Sequence, residues 1–265
     1  MGIVGALTTI PALARGPGVF LGSREYVLVL SHMRSFSSML CHVLGSHEEI
    51  AGYAEMHQGY EGPIDFLRMR ARVSRSLDGR LDGRLVLDKV LHPRHVVTAE
   101  IADRQDVHTI FLVREPPATI ASLVSMGAKF DDTMARYADP AVAAEYYARR
   151  IASLVELARA MQSQALFVTA ESVVADTDAA LAAITAYLGL GRPLEPTYKT
   201  FKHTGKSGFG DFSDRIKSGR IDRQAEPRAV PDVPPPLLEA AWVAHEEWLA
   251  AGERHRFASR MPAAP

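Results

Sequence analysis

The chain has 265 residues, of which 47% are hydrophobic and 23% are charged, with a formal net charge of −1. This mix is that of an ordinary globular protein, and the length suits one large α/β domain. The near-neutral balance argues against a chain that binds nucleic acid or anionic membranes through overall charge. The single cysteine, Cys41, excludes an intrachain disulfide; we expect a buried thiol in a reducing cytoplasm.

The two ends of the chain differ in composition from the rest. We expect a loosely ordered leader over 1–22, an α/β domain over 23–258 and a frayed tail over 259–265. The apolar stretch at 1–14 is shorter than the roughly 20 residues that span a bilayer. It lacks the preceding basic residues of a secretory signal. The sequence therefore predicts a cytoplasmic protein without a membrane segment.

Apolar runs alternate with amphipathic segments along the chain. A continuous apolar run at 26–30 predicts a buried strand, and the helix after it is expected to end at Gly45. Further strands are predicted at 84–91, 107–113 and 165–169. Further helices are predicted at 62–77, 92–102, 116–124, 142–162, 177–188 and 237–250. This alternation predicts a single-domain, P-loop-like parallel sheet flanked by helices.

The loop at 31–38 (SHMRSFSS) joins the first strand to the first helix. Free N–H groups at a helix N-terminus favour anions. Ser35, Ser37 and Ser38 add hydroxyl donors, and Arg34 adds a permanent positive charge. These residues predict an oxyanion cradle. The loop has neither the glycines nor the lysine of a Walker A motif, which disfavours an ordinary Mg-ATP kinase.

A second polar loop follows the strand at 107–113, in the segment Phe-Leu-Val-Arg-Glu-Pro. Arg114 stands at the strand end, and Ser122 follows eight residues later on the next helix. This spacing lets both side chains face one anion, although pairing of Arg114 with Glu115 is an alternative reading. Carboxyl ends of parallel strands share one edge of a sheet, so both loops are expected at one ligand crevice.

Together the two loops resemble the nucleotide-binding motifs of sulfotransferases that use 3′-phosphoadenosine-5′-phosphosulfate (PAPS), with the bacterial and Golgi-type branch the nearest pattern. The resemblance implies PAPS as co-substrate and 3′,5′-ADP as product. The implied 5′-phosphosulfate residues are Arg34, Ser35, Phe36, Ser37 and Ser38. Arg114 and Ser122 are the implied ligands of the 3′-phosphate. Phe36 departs from the family, which usually has glycine there, and its side chain is expected to reshape the loop or line the acceptor pocket.

A glycine-rich and basic segment at 206–219 resembles the late loop that closes over the nucleotide in this family. Glycines let backbone N–H groups approach an anion closely. The implied binding residues in this loop are Lys206, Gly208, Gly210, Arg215 and Lys217. A mobile surface loop is the alternative interpretation.

Sulfuryl transfer needs a base for the acceptor hydroxyl and positive charge for the leaving group. Glu55 is the favoured base, since relatives often place a catalytic glutamate in this region, and its apolar neighbours are expected to raise its pKa. His92 is the rival, three residues after Lys89, and His57 is a weaker third candidate. Lys89 and Arg34 are expected to act on the sulfuryl group or the leaving oxygen.

The sequence leaves the acceptor and some alternatives open. The resemblance implies a hydroxyl of a small molecule, natural product or glycan, with no nucleic-acid or membrane partner. A P-loop-like ATP-dependent kinase and a non-catalytic nucleotide-binding module on the same fold remain alternatives. No cluster of His, Cys and Asp has metal-ligand spacing along the chain, so no metal is expected.

Overall fold

The structure is a computed structural model that describes residues 24–79, 81–206, 210–211, 213–222, 229 and 231–255. The predicted leader, the predicted tail and Gly208 lie outside the described residues, so the predicted domain boundaries stay predictions. Within the described part of the chain, none of the helices has the length and apolar character needed to cross a membrane.

The described residues form one sheet of five parallel strands in the order β2–β3–β1–β4–β5. The strands are β1 (Glu25–Ser31), β2 (Ile50–Ala51), β3 (Leu85–Val90), β4 (Val107–Val113) and β5 (Leu166–Thr169). Strand β1 is central and is buried on both faces, which explains its continuous apolar sequence. The predicted parallel α/β fold is confirmed.

Helices cover both faces of this sheet. They are α1 (Ser37–Ser46), α2 (Pro63–Ser76), α3 (Ala99–Ala102), α4 (Pro116–Gly127), α5 (Pro140–Ala160), α6 (Ala170–Ala175), α7 (Thr177–Tyr187) and α8 (Pro235–Arg254). Successive side chains of a strand point to opposite faces. Accordingly Leu28 and Leu30 join one buried cluster, while Val27 and Val29 join the other. Cys41 belongs to the second cluster, and its burial is confirmed.

Two predicted helix boundaries are wrong. Helix α1 continues through Gly45 and is capped by His47. Gly45 serves packing instead, because a Cβ there would lie 2.2 Å from the Gly52 carbonyl oxygen. The helix predicted over 92–102 is confined to α3, because backbone hydrogen bonds tie the preceding segment to Tyr60. Thr98 then caps the short helix by accepting from the Ile101 N–H.

The position of the ligand crevice follows from the strand order. Strands β1 and β4 are neighbours, with Ser31 in register with Leu112. After β1 the chain continues toward β2, at one edge of the sheet. After β4 it continues toward β5, at the other edge. Such a switch point opens a crevice at the carboxyl ends of the strands. The two polar loops singled out in the sequence border this crevice.

Candidate active site

A cavity of ≈ 860 Å³ lies at this crevice, within the size range of small-molecule sites. Its lining includes eleven of the candidate site residues from the sequence: Arg34, Phe36, Ser37, Ser38, Glu55, His57, His92, Arg114, Ser122, Gly210 and Arg215. Because β1 is central, the cavity has two sides. We call Arg34, Arg114 and Ser122 the β4 side, and Glu55, His57 and His92 the β3 side.

On the β4 side, Arg34 reaches the helix that follows β4. Its Nε donates to Ser122 Oγ at 3.0 Å, and its Nη1 lies 3.4 Å from Asp211 Oδ1. The sequence resemblance assigned Arg34 and Ser122 to two different phosphate groups. The structure instead joins them in one hydrogen-bonding surface, so Arg34 extends the anion-binding surface that Arg114 and Ser122 were expected to form.

Arg114 is held against the loop after β1. Its Nη1 donates to the Arg34 carbonyl oxygen at 3.3 Å, and its guanidinium carbon lies 4.2 Å from the centre of the Phe36 ring. A guanidinium at this distance is attracted to the ring face. The loops that follow β1 and β4 are thereby joined through a cation that faces the cavity.

Phe36 has a backbone conformation that favours glycine. It adopts φ 65° as the N-cap of α1, and Arg34 also has φ 65°. Left-handed backbone is strained for side chains larger than glycine, and such strain concentrates at functional sites. Phe36 accepts this conformation, lines the cavity and contacts Arg114. The side chain therefore forms part of the cavity wall and contacts the predicted anion ligand Arg114.

His32, which the sequence did not single out, joins the same two loops. Its Nδ1 donates to the Met33 carbonyl at 2.9 Å, and its Nε2 accepts from the Arg114 backbone N–H at 3.0 Å. Burial lowers the pKa of His32 to about 3, so the ring is neutral and can accept this bond. Only strand pairing brings residues 32 and 114 together.

Ser38 lies where three elements meet. Lys89 is 1% exposed, and its Nζ donates to Ser38 Oγ at 2.8 Å. The backbone N–H of Asp211 donates to the same oxygen at 2.9 Å. A hydroxyl that accepts twice retains its own proton for a ligand oxygen. Lys89 and Ser38 therefore form a hydrogen-bonded pair beside the β4 side, where the sequence predicts an anion.

The late loop packs directly on this pair. Gly210 has φ 123°, and a Cβ there would lie 2.5 Å from Ser38 Oγ and 2.7 Å from Lys89 Nζ. Only glycine fits at this distance and in this backbone conformation. Arg215 lines the cavity, whereas Lys206 and Lys217 lie outside its described lining. Lys217 pairs with Asp214 at 2.9 Å.

Asp211 is an acid within a loop that was expected to contribute positive charge. Burial acts to raise its pKa, but the nearby Arg34 and hydrogen bonds from Ser213 outweigh this effect, so the net pKa is lowered. The carboxylate therefore stays ionised beside Arg34. An anionic ligand that approaches Arg34 competes with it.

Ser35 differs from the other serines of the cradle. Its side chain is fully buried, its Oγ lies 2.7 Å from Ser31 Oγ, and it donates to the His32 carbonyl at 2.8 Å. The hydroxyl therefore holds the loop in shape. Ser37 and Ser38, in contrast, line the cavity.

On the β3 side, Glu55 lies between two histidines. Its Oε1 is 3.3 Å from His57 Nδ1 and 3.9 Å from His92 Nε2. Burial acts to raise the pKa of Glu55, but the hydrogen bond from His57 and the charges of Lys89 and the histidines lower it overall. The expectation that its surroundings raise this pKa is wrong, since cationic neighbours outweigh the apolar ones.

The absence of a metal stays a prediction, but the structure brings three possible metal ligands together. Glu55, His57 and His92 each offer one ligand atom, and these atoms lie within 4.8 Å of one another. Their sequence separations hide the cluster, because residues 55 and 57 follow β2 while His92 follows β3.

Two residues of α5 hold the loop that follows β1. Arg150 is buried and donates to the carbonyls of Ser31 and Val90, both at 2.8 Å. One turn earlier, Tyr146 accepts from the Met33 N–H at 2.9 Å and donates to the Leu91 carbonyl at 3.3 Å. They hold together the carboxyl ends of β1 and β3. In the sequence both appear as ordinary residues of an alanine-rich helix.

Two solved structures are similar to this chain in fold. The sulfotransferase domain from the curacin biosynthetic pathway is 16% identical with a TM-score of 0.54, over 85% of this chain and 99% of that one. The sulfotransferase domain from the Synechococcus PCC 7002 olefin synthase is 18% identical with a TM-score of 0.55, over 84% and 95%. No family model and no curated protein matches the chain. The chain therefore has the fold of sulfotransferase domains, and its assignment to the bacterial and Golgi-type branch stays a prediction.

Proposed function

We propose that this chain is a sulfotransferase that moves the sulfuryl group of PAPS to a hydroxyl of a small-molecule, natural-product or glycan acceptor. The observation that carries the proposal is that Arg34 and Arg114, from two adjacent strand ends, open onto one cavity and are linked there. A doubly phosphorylated nucleotide needs two anion-binding surfaces that share one crevice. The likeness to sulfotransferase domains supports the same conclusion.

The β4 side is the proposed site of the 3′-phosphate. Arg114 and Ser122 match the family motif in type and spacing, and Arg34 adds a second guanidinium beside Ser122. Planar guanidinium groups match phosphate oxygens well. The Lys89–Ser38 pair, with Ser37 at the start of α1, is the proposed site of the 5′-phosphosulfate. Gly210 and Arg215 are proposed to cover the nucleotide.

The proposed chemistry is in-line transfer through a loose transition state. The acceptor oxygen attacks sulfur, and the bond from sulfur to the 5′-phosphate oxygen breaks. Glu55 takes the hydroxyl proton, for which its carboxylate is ionised and faces the cavity. Lys89 stabilises the negative charge that develops on the leaving phosphate. Its position beside Ser38 places a fixed cation at the proposed phosphosulfate site.

The rest of the cavity favours an acceptor with an apolar body. Its wall includes the side chains Met33, Met39, Met126, Phe130 and Met134. Methionine side chains adapt to ligands of different shape. We propose an acceptor whose hydroxyl reaches Glu55 while its apolar part contacts this wall.

Ligand-induced stabilisation tests the nucleotide assignment. 3′,5′-ADP is expected to raise the melting temperature, since a ligand that binds only the folded state stabilises it. Adenosine 5′-monophosphate, the matched ligand without the 3′-phosphate, is expected to raise it much less. Equal shifts for both ligands, or a larger shift with Mg-ATP, would refute the PAPS assignment.

Transfer is tested separately with labelled PAPS and a panel of hydroxylated acceptors. The expected products are a sulfate ester and 3′,5′-ADP. Tight 3′,5′-ADP binding without either product, across acceptors with and without apolar bodies, would favour a non-catalytic nucleotide-binding module.

A further inference from the structure

We propose that Glu55, His57 and His92 form a binding site for one divalent transition-metal ion of the Zn²⁺ type. The inference concerns the β3 side alone and does not depend on the identity of the nucleotide. One carboxylate and two imidazoles are the ligand types that Zn²⁺ prefers. Each residue offers a ligand atom, and the three atoms already lie within 4.8 Å of one another.

The observed distances are close to those of a tetrahedral site. Two metal–ligand bonds of about 2.0–2.1 Å at a tetrahedral angle separate their ligand atoms by about 3.3 Å. Glu55 Oε1 lies 3.3 Å from His57 Nδ1 and 3.9 Å from His92 Nε2. If the distance between His92 Nε2 and Glu55 Oε1 shortened by less than an ångström, this pair would also reach the tetrahedral separation.

The local backbone supports the cluster. His57 has φ 51°, in the left-handed region, although it is not glycine. Strain of this kind persists only where the surrounding structure imposes it, and it concentrates at functional sites. Its ring faces that of His92, with ring centres 6.5 Å apart and planes 28° apart. The turn thus brings both imidazoles to the same carboxylate.

Two buried cations lie near the carboxylate of the cluster, and both already have hydrogen-bond partners. Lys89 Nζ donates to Ser38 Oγ at 2.8 Å. Arg150 donates to the carbonyls of Ser31 and Val90, both at 2.8 Å.

A third histidine adjoins the cluster. The ring centre of His95 is 5.8 Å from that of His92 and 6.2 Å from that of His57. Its Nδ1 is buried, with no hydrogen-bond partner among the described residues. His95 therefore lies beside the cluster. Three protein ligands leave the fourth position of the ion open to the cavity, because all three residues line it.

Occupancy of this site has a consequence that rests on the proposed function. Glu55 Oε1 cannot ligate a metal ion and accept the acceptor proton at the same time. Zn²⁺ is therefore expected to inhibit sulfuryl transfer, at the concentration at which it binds this cluster. Acceleration of transfer by Zn²⁺ would refute this consequence.

Direct titration tests the site without any transfer assay. Chelator-treated full-length protein is titrated with Zn²⁺ by calorimetry and with Co²⁺ by visible absorption. We expect one ion per chain at the cluster and the strong d–d bands of a tetrahedral Co²⁺ complex. His57→Ala and His92→Ala should each weaken binding by more than the roughly 10–100-fold that loss of an outer-shell partner costs.

Two further variants make the titration decisive. Glu55→Gln keeps the shape of the side chain and removes its charge, so it should also weaken binding and lose the d–d bands. His47→Ala changes a half-buried histidine whose Nε2 lies near the Arg192 carbonyl; it is the matched control and should bind as the unaltered chain does. Binding that is unchanged in His57→Ala, His92→Ala and Glu55→Gln would overturn the proposal. Failure of the transfer assay would leave this result unaffected.

Discussion

The two sides of the cavity use different chemistry at the same sheet edge. The β4 side presents two guanidinium groups, which carry a permanent charge, and the Ser122 hydroxyl. The β3 side presents a carboxylate and two imidazoles, all of which titrate. Between them lies the end of β1, with Lys89 bound to Ser38.

This difference separates two tasks. Binding a phosphate needs charge that does not change with pH, which arginine supplies. Moving a proton needs a group that gains and loses charge, which Glu and His supply. Changes on the β3 side should therefore reduce turnover with little effect on nucleotide affinity, and changes on the β4 side should do the reverse.

The largest effect is expected for Glu55→Gln. Loss of a general base typically costs about 10²–10⁴ in rate. The melting-temperature shift with 3′,5′-ADP should stay unchanged, because Glu55 lies on the β3 side. The measurement is kcat with labelled PAPS, and Glu61→Gln, at an exposed position, is the matched control. Full activity in Glu55→Gln, with loss in His92→Ala, would move the base to His92.

The pH profile gives an independent reading of the same group. Because the net pKa of Glu55 is below its ordinary value of 4.5, its carboxylate stays competent from neutral pH down to that region. Transfer should therefore fall only as the pH drops below about 4.5, when the carboxylate gains a proton. An acid limb near pH 6.5 in kcat would contradict Glu55 as the base.

Lys89→Met should come next in size. The change keeps an unbranched chain in the buried site and removes the charge beside Ser38. Loss of one preorganised donor to developing negative charge costs about 10²–10³ in kcat. Lys129→Met is the control, since Lys129 lines only a small adjoining cavity. A kcat within threefold of the unaltered chain would remove Lys89 from the transition-state site.

Arg114→Ala tests the β4 side. Hydrogen bonds to charged groups contribute about 1.5–3 kcal/mol, so 3′,5′-ADP should bind about 10–150-fold more weakly. Affinity is measured by calorimetry. Arg104→Ala is the matched control, because Arg104 pairs with Asp106 just before β4, at the opposite end of that strand. An unchanged affinity would exclude Arg114 from the phosphate site.

The smallest effect is expected for Asp211→Asn, and it has the opposite sign. Its carboxylate pairs with Arg34 at 3.4 Å and competes with an incoming phosphate. Partly exposed pairs contribute up to about 1 kcal/mol, so 3′,5′-ADP should bind about 2–5-fold more tightly. Asp78→Asn, which breaks an exposed pair with Lys202, should leave the affinity unchanged. Weaker binding in Asp211→Asn would show that the carboxylate helps to hold the nucleotide.

Local patterns in the sequence were sufficient for four of the five strands and for the two cradle loops, but they did not predict the two-residue strand β2. One strand–loop–helix unit keeps Arg34 and Ser38 in the same loop. A second unit places Arg114 at its strand end and Ser122 eight residues later, on its helix. Two exceptions have a tertiary cause. Gly45 was predicted as a helix end because glycine favours caps, whereas in the structure it permits close packing against Gly52, beyond the end of the helix. The helix expected after His92 fails for the same reason, since its segment pairs with Tyr60.

The amino-acid sequence by itself determined the parallel α/β fold and the positions of the two polar loops, because both depend on side-chain periodicity and on neighbours within a few residues. Only the tertiary structure decided which residues share the site. Sheet pairing joins His32 to Arg114, helix packing brings Arg150 under β1, and the order of β2 and β3 places His92 beside Glu55 and His57. Such contacts join residues that are far apart along the chain, and no local pattern records them.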